Sequence, residues 1–290
     1  MNHLDQKVKN ELLVFQTNEI SEHIIYGRLS LLQKSQENAS IVKKISEDEL
    51  RHYNIYKNYT GQDVKPNNFK IWWYLFLAKI FGITFSIKLM ENGEKGAQVS
   101  YRQLSGILPE VEKIIKDENG HENDLIKLVD EDRLKYIGAV VLGLNDALVE
   151  LTGTLAGLTF ALQNEKLVGV AGLITGVAAA LSMAASEYIA IKAEGLISPT
   201  KAAFYTGVTY FIAVVLLVLP FLLLSNPFIA MLITLLAAVF LIFFFNYYYS
   251  VVKEVPFRRR FVEMLVISMG VAFLSFVIGL IIRQFLGVNT

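Results

Sequence analysis

The chain contains no cysteine. That excludes disulfides, iron–sulfur clusters and any four-cysteine iron site, and it says little about compartment. Charge of one sign is also missing: 27 Lys and Arg balance 27 Asp and Glu. The basic residues are dispersed, so no nucleic-acid partner is expected. Met1 to Asn10 is polar and has no apolar h-region, so no cleaved signal peptide is expected either.

What is abundant is apolar surface, 53% of 290 residues, and it is unevenly spread. Most of the charge falls within 1–135, and long apolar runs dominate from Tyr136 onward. The pattern predicts an all-α protein of two domains, 1–133 and 134–290. Five segments, 136–161, 167–191, 202–224, 228–252 and 261–285, are apolar over the roughly 20 residues a bilayer requires. Lys253, Arg258, Arg259 and Arg260 share one side of the membrane with Lys192, Lys201, Arg133 and Lys135, against Lys166 and Arg283 on the other. The positive-inside rule then makes the N-terminal domain cytoplasmic and puts the C-terminus outside or in a lumen. The stretch 69–90 is interrupted by Lys70, Lys79 and Lys88 and split by Gly82. We read it as a short amphipathic or interfacial helix carrying Trp72 and Trp73, not as a sixth span, which would separate the two halves of the site described next.

A motif occurs twice in the polar half. Glu19 begins Glu-x6-Tyr-x-x-Leu-Ser, with Tyr26, and Glu49-x-x-His52 follows. Glu94 begins the same pattern, with Tyr101, and Glu118-x-x-His121 follows. On a helix, Glu and His at i and i+3 share one face. Two lone-Glu helices and two Glu-x-x-His helices supply four carboxylates and two imidazoles, the ligand set of a carboxylate-bridged two-metal site in a four-helix bundle. Helices are expected at 5–35, 40–59, 83–105 and 109–132, with Ser40 capping the second and Gly61, Pro66, Gly106 and Pro109 in the breaks. Imidazole favours iron, manganese or zinc over calcium or magnesium. Tyr26 and Tyr101, two turns from a ligand Glu, are placed to hydrogen-bond a ligand carboxylate. Glu22, Glu91 and Glu122 also lie on or near the ligand faces. They are read as solvated charges, with a third metal or an access path as the alternative.

On Asn18-Glu19-Ile20, Glu49-x-x-His52, Glu94 and Glu118-x-x-His121, residues 8–132 resemble the ferritin-like, rubrerythrin-type family. The resemblance implies a di-iron centre able to oxidise Fe(II) with oxygen or peroxide. The rubredoxin tail of true rubrerythrins is missing, which excludes electron delivery by that route.

Ionisable residues inside spans are costly and point to function. The first span carries Asp146 and Glu150 at i and i+4, with Gly143, Gly153 and Gly157 near that face. The second carries Met183 and Glu187, again at i and i+4, with Gly172, Gly176 and Ala180. Small residues allow close helix approach, so these two faces are expected to meet around one cavity, to which Asn145 adds a carbonyl oxygen. Carboxylates with a thioether suit Fe(II) or another transition ion. Met183 alone would read as core packing, and Glu187 as a charge reaching the cytoplasmic edge.

Leu142-Gly143-Leu144-Asn145-Asp146-Ala147-Leu148, Ala180-Leu181-Ser182-Met183-Ala184-Ala185-Ser186-Glu187-Tyr188 and the Thr206-Gly207 to Leu219-Pro220-Phe221 span resemble the vacuolar iron transporter family over about 134–288. The resemblance implies a homodimer that moves Fe(II), and often Mn(II), out of the cytosol in exchange for protons, with Asp146 and Met183 as membrane metal ligands. Asp146-Ala147 stands where the family reads Asp-Gly, and Ser186-Glu187 where it often reads Gly-Glu. The family's Glu-rich insert between spans two and three is missing, and the N-terminal bundle is placed to substitute for it. The whole layout resembles the membrane-bound ferritin subgroup of bacteria and archaea, which implies a prokaryotic cell membrane. The expectation is therefore an iron exporter with a cytoplasmic di-iron bundle that captures or senses metal. The alternative is a membrane-anchored di-iron oxidase or peroxidase whose spans only tether and dimerise it.

Overall fold

The computed structural model describes residues 5–33, 35–104, 110–127, 136–195 and 197–286, with backbone alone at 94–104, 111, 122, 123, 125–127 and 286. Among these residues the protein is all-helical, and the chain divides into two compact units, Met1–Glu131 and Asp132–Thr290.

The first unit comprises α1 (Gln6–Ser30), α2 (Gln36–Thr60), α3 (Asn68–Phe81), α4 (Ile83–Leu104) and α5 (Val111–Lys127). Asp5 caps α1 by accepting the Lys7 N–H. The second helix begins four residues before the expected Ser40. Ser35 is its cap, accepting the Asn38 N–H, and Glu37 in the first turn complements the helix dipole. Gly61 ends α2 at φ 71°, a left-handed conformation that glycine adopts without a Cβ clash. The stretch at 69–90 divides into the 14-residue α3, too short to span, and the start of α4, with Gly82 between them at φ 98°.

Helix α1 packs on α2 and α3, and α5 on α2 and α4. Two apolar layers result. Leu12 and Phe15 of α1 meet Tyr56 and Ile114 in one. Ile25, Tyr26 and Leu29 meet Val42, Ile45, Ile87 and Met90 in the other. Each fully buried large side chain contributes about 1.5–3 kcal/mol. Along α1 the interval between the layers falls at Glu19 and Glu22, and along α2 at Glu49 and His52. The apolar layers thus clamp a buried polar one.

The second unit comprises α6 (Ile137–Leu162), α7 (Glu165–Glu194), α8 (Pro199–Leu223), α9 (Pro227–Lys253) and α10 (Phe257–Leu286). All five are long and apolar enough to cross a bilayer, and the protein is an integral membrane protein. Asn164 and Asn226 cap α7 and α9, and Pro199 and Pro227 sit in the first turns of α8 and α9. A Cβ on Gly143 would lie 2.6 Å from the Thr206 carbonyl oxygen, so only glycine permits this approach of α6 to α8. Gly153 and Gly157 meet Val271 and Ser275 of α10, not α7 as the sequence implied. Within the unit, Ser268 donates to the Leu148 carbonyl and pairs with Thr152 at 3.1 Å.

Candidate metal centre

The polar layer of the first unit converges on two imidazoles. His52 Nδ1 lies 3.6 Å from Glu19 Oε2, 3.5 Å from Glu49 Oε2 and 3.2 Å from Glu118 Oε1. His121 Nδ1 lies 3.4 Å from Glu49 Oε1 and 3.6 Å from Glu118 Oε2. Glu49 and Glu118 therefore each turn one oxygen to each imidazole. The i, i+3 spacing on α2 and α5 puts Glu and His on one face, and packing of α2 on α5 brings the faces together. The ring centroids are 6.1 Å apart.

Five atoms aimed into this space are buried without a hydrogen-bond partner: Glu19 Oε2, Glu49 Oε1, His52 Nδ1, Glu118 Oε2 and His121 Nδ1. Such an atom costs about 1–3 kcal/mol, more when charged. Ligand atoms of Glu19, Glu49, His52 and Glu118 lie within 4.8 Å of one another. Orphaned lone pairs on carboxylate and imidazole fit a transition ion, and the two-sided carboxylates fit a pair.

The backs of the rings are held. His121 Nε2 bonds Asp48 Oδ2 at 3.0 Å, and His52 Nε2 contacts Asp117 Oδ2 at 3.4 Å. With each Nε2–H donating to an aspartate, each Nδ1 lone pair is left for metal. Arg51 joins the two aspartates, donating to Asp48 Oδ1 at 2.6 Å and to Asp117 Oδ2 at 2.8 Å. Sequence reasoning missed all three residues. The signal was present, since both motifs read Asp-Glu-x-x-His.

Charge among these groups is distributed by burial and neighbours. Burial, with the Glu49 charge, holds Glu19 well above the usual carboxylate range. Burial would raise Glu49 too, but His121 and His52 outweigh it and hold the group low. Burial opposes charging of the imidazoles, yet Glu118, Glu19 and Glu49 raise His52, and Glu118 and Glu49 raise His121 to about 11.

Glu22 and Glu91 are buried, not solvated as the sequence reading held. Glu22 pairs with Lys70 at 2.6 Å, and burial still raises its pKa. Tyr26 donates to Glu91 Oε1 at 2.7 Å, across to α4 and not to Glu19 on its own helix. Burial, with the charges of Glu118 and Glu49, pushes Glu91 up to about 7, so this carboxylate belongs to the electrostatics of the site. The side chains of Glu94, Tyr101 and Glu122 lie outside the described residues.

In the membrane unit, Asp146 and Asn145 are half-buried and open into a groove of about 450 Å³. Its lining residues all belong to α6. Glu150 is exposed, and Tyr210 of α8 donates to its Oε2 at 2.7 Å. Met183 packs against the apolar core of the unit. Glu187 is buried, and its charged neighbour is Glu194 on the same helix. Glu150, Met183 and Glu187 are not among the residues that line the Asp146 groove.

Residues 137–196, which span α6 and α7, match the VIT family model. No curated protein matches the chain. Taken with the five apolar helices, the match marks the second unit as that of a membrane metal transporter.

Proposed function

We propose that the chain exports Fe(II) from the cytosol in exchange for protons, with Mn(II) as the alternative cargo. We take its first unit as a cytoplasmic, ferritin-like bundle whose two-metal centre captures or senses the ion. The observation that carries this reading is that Glu49 and Glu118 each divide their oxygens between the same two imidazoles. Glu19 completes the His52 side. For the His121 side the repeated motif nominates Glu94, and Glu91 is the described carboxylate that feels the His121 charge. Iron held there would supply redox chemistry toward oxygen or peroxide. The chain's own residues bind the ion, keep it dry between two apolar layers and fix the imidazole tautomers. Fe(III) is the wrong cargo for an Fe(II) path, so capture or sensing is favoured over obligatory oxidation.

In the membrane, a carboxylate facing acyl chains at mid-span costs about 2.5–3.5 kcal/mol. The open groove at Asp146 is relieved of that cost when a second copy closes it, so the transporter is proposed as a homodimer with paired Asp146 side chains on the ion path. Met183 offers a thioether to the same ion, and Glu150 and Glu187 are the further carboxylates for returning protons. The Lys/Arg bias supports a cytoplasmic N-terminus.

The test is Fe(II) flux in anoxic proteoliposomes under a proton gradient, comparing wild type, Asp146→Ala and Glu49→Ala. Flux lost in Asp146→Ala supports transport, and the Glu49→Ala result reports whether the bundle feeds or regulates it. Absence of flux in wild type, with oxygen-dependent Fe(II) consumption intact, would leave the membrane-anchored oxidase.

A further inference from the structure

Helix α3 turns an apolar face outward. Ile71, Leu77 and Ala78 are buried against the unit, whereas Phe69, Trp72, Trp73, Phe76 and Ile80 are 71%, 55%, 41%, 39% and 48% exposed. These five recur at helical spacing on one side, and their rings stack along it, Phe69 on Trp73 and Trp72 on Phe76. A contiguous aromatic patch of this kind is unusual on a surface bathed by water.

Beside it lies a groove of about 440 Å³ between α1 and α3. Ile24, Ile71, Leu75 and Phe76 give it an apolar floor, and Arg28 and Lys79 are its cations. Both cations are exposed, neither has an ion-pair partner among the described residues, and no carboxylate lines the groove. Apolar floor, tryptophan rim and paired cations match an anionic amphiphile. The chain itself carries five spanning helices, so a bilayer is at hand. A second copy of the same face fits less well, because a two-fold contact would oppose like charges.

We propose that α3 lies in the headgroup region of the bilayer, its aromatic face at the acyl boundary, with an anionic phospholipid headgroup held by Arg28 and Lys79. The proposal stands whatever ion the polar layer holds.

The chain has two tryptophans, Trp72 and Trp73, both on this face, so its tryptophan emission reports α3 alone. The full chain would be placed in nanodiscs of phosphatidylcholine and phosphatidylglycerol, with one or the other lipid brominated at a shallow or deep acyl position. Shallow bromines should quench more than deep ones. Brominated phosphatidylglycerol should quench about twofold more than phosphatidylcholine at equal fraction. Arg28→Gln with Lys79→Gln, both at exposed positions, should abolish that preference and keep the shallow quenching. Strong acrylamide quenching without lipid quenching would place the helix in water and overturn the proposal. Protection from both quenchers would show that a protein partner, such as a second copy, covers the face, and overturns it too. Equal quenching by the two lipids in wild type overturns the headgroup site.

Discussion

Asp48 Oδ2 lies 3.0 Å from His121 Nε2, although Asp48 stands on α2 and His121 on α5. Asp117 on α5 returns the arrangement to His52 on α2. Each ligand helix therefore orients the imidazole of the other, and Arg51 ties the two aspartates.

Removing one aspartate should loosen one metal while the fold persists. Asp48→Asn is expected to weaken binding about 10–100-fold at the His121 side, and Asp117→Asn likewise at the His52 side. Anaerobic Mn(II) titration with circular dichroism as the folding control checks this. Unchanged affinity in both variants would mean that the aspartates serve Arg51 alone.

Bridging and terminal carboxylates should separate by stoichiometry. Glu49 addresses both imidazoles, so Glu49→Gln should reduce two bound ions to at most one. Glu19 addresses His52 only, so Glu19→Gln should spare the His121 site. Metal counting on purified protein decides it. Equal losses in the two variants would contradict the bridge.

Metal binding should release protons. His121 is raised to about 11 in the folded, metal-free protein, above its ordinary value near 6.5. Its stabilisation of that form is complete below about pH 6.5 and is lost as pH rises through about 11. A metal ion needs the neutral ring, so the sign reverses for the loaded form. Mn(II) affinity should climb from pH 6 to pH 8, by up to about tenfold per unit for each ion, since each ion displaces one imidazole proton. A pH-independent affinity over that range would exclude protonated imidazoles in the metal-free site.

Gly143→Ala puts a methyl group 2.6 Å from the Thr206 carbonyl oxygen, and backbone cannot yield as a flexible side chain would. The expected loss is about 1–3 kcal/mol of membrane-unit stability, read as an earlier unfolding transition in detergent. Gly270→Ala, where a Cβ meets nothing within 4 Å, is the control and should be silent.

Much of this was legible along the chain. Five apolar runs foretold α6 to α10, and the Glu-x-x-His spacing put each Glu and His on one helical face before any packing was known. Gly82 and three lysines foretold the short α3. Other features escaped for physical reasons. The start of α2 depended on a competition between Ser35 and Ser40 for the cap, which propensity alone does not decide. Glu22 and Glu91 read as solvated because a carboxylate on a helix face is by default a solvated charge. Their burial comes from Lys70 and Tyr26, each brought in from another helix.

The sequence by itself determined which residue types stand on which helical faces, because the 3.6-residue turn is a local property of the chain. Only the tertiary structure decided which carboxylates reach both imidazoles, that the aspartates cross between α2 and α5, and that the Asp146 groove is lined by α6 alone. Those depend on how separate helices pack against one another, and spacing within one helix carries no information about its partner.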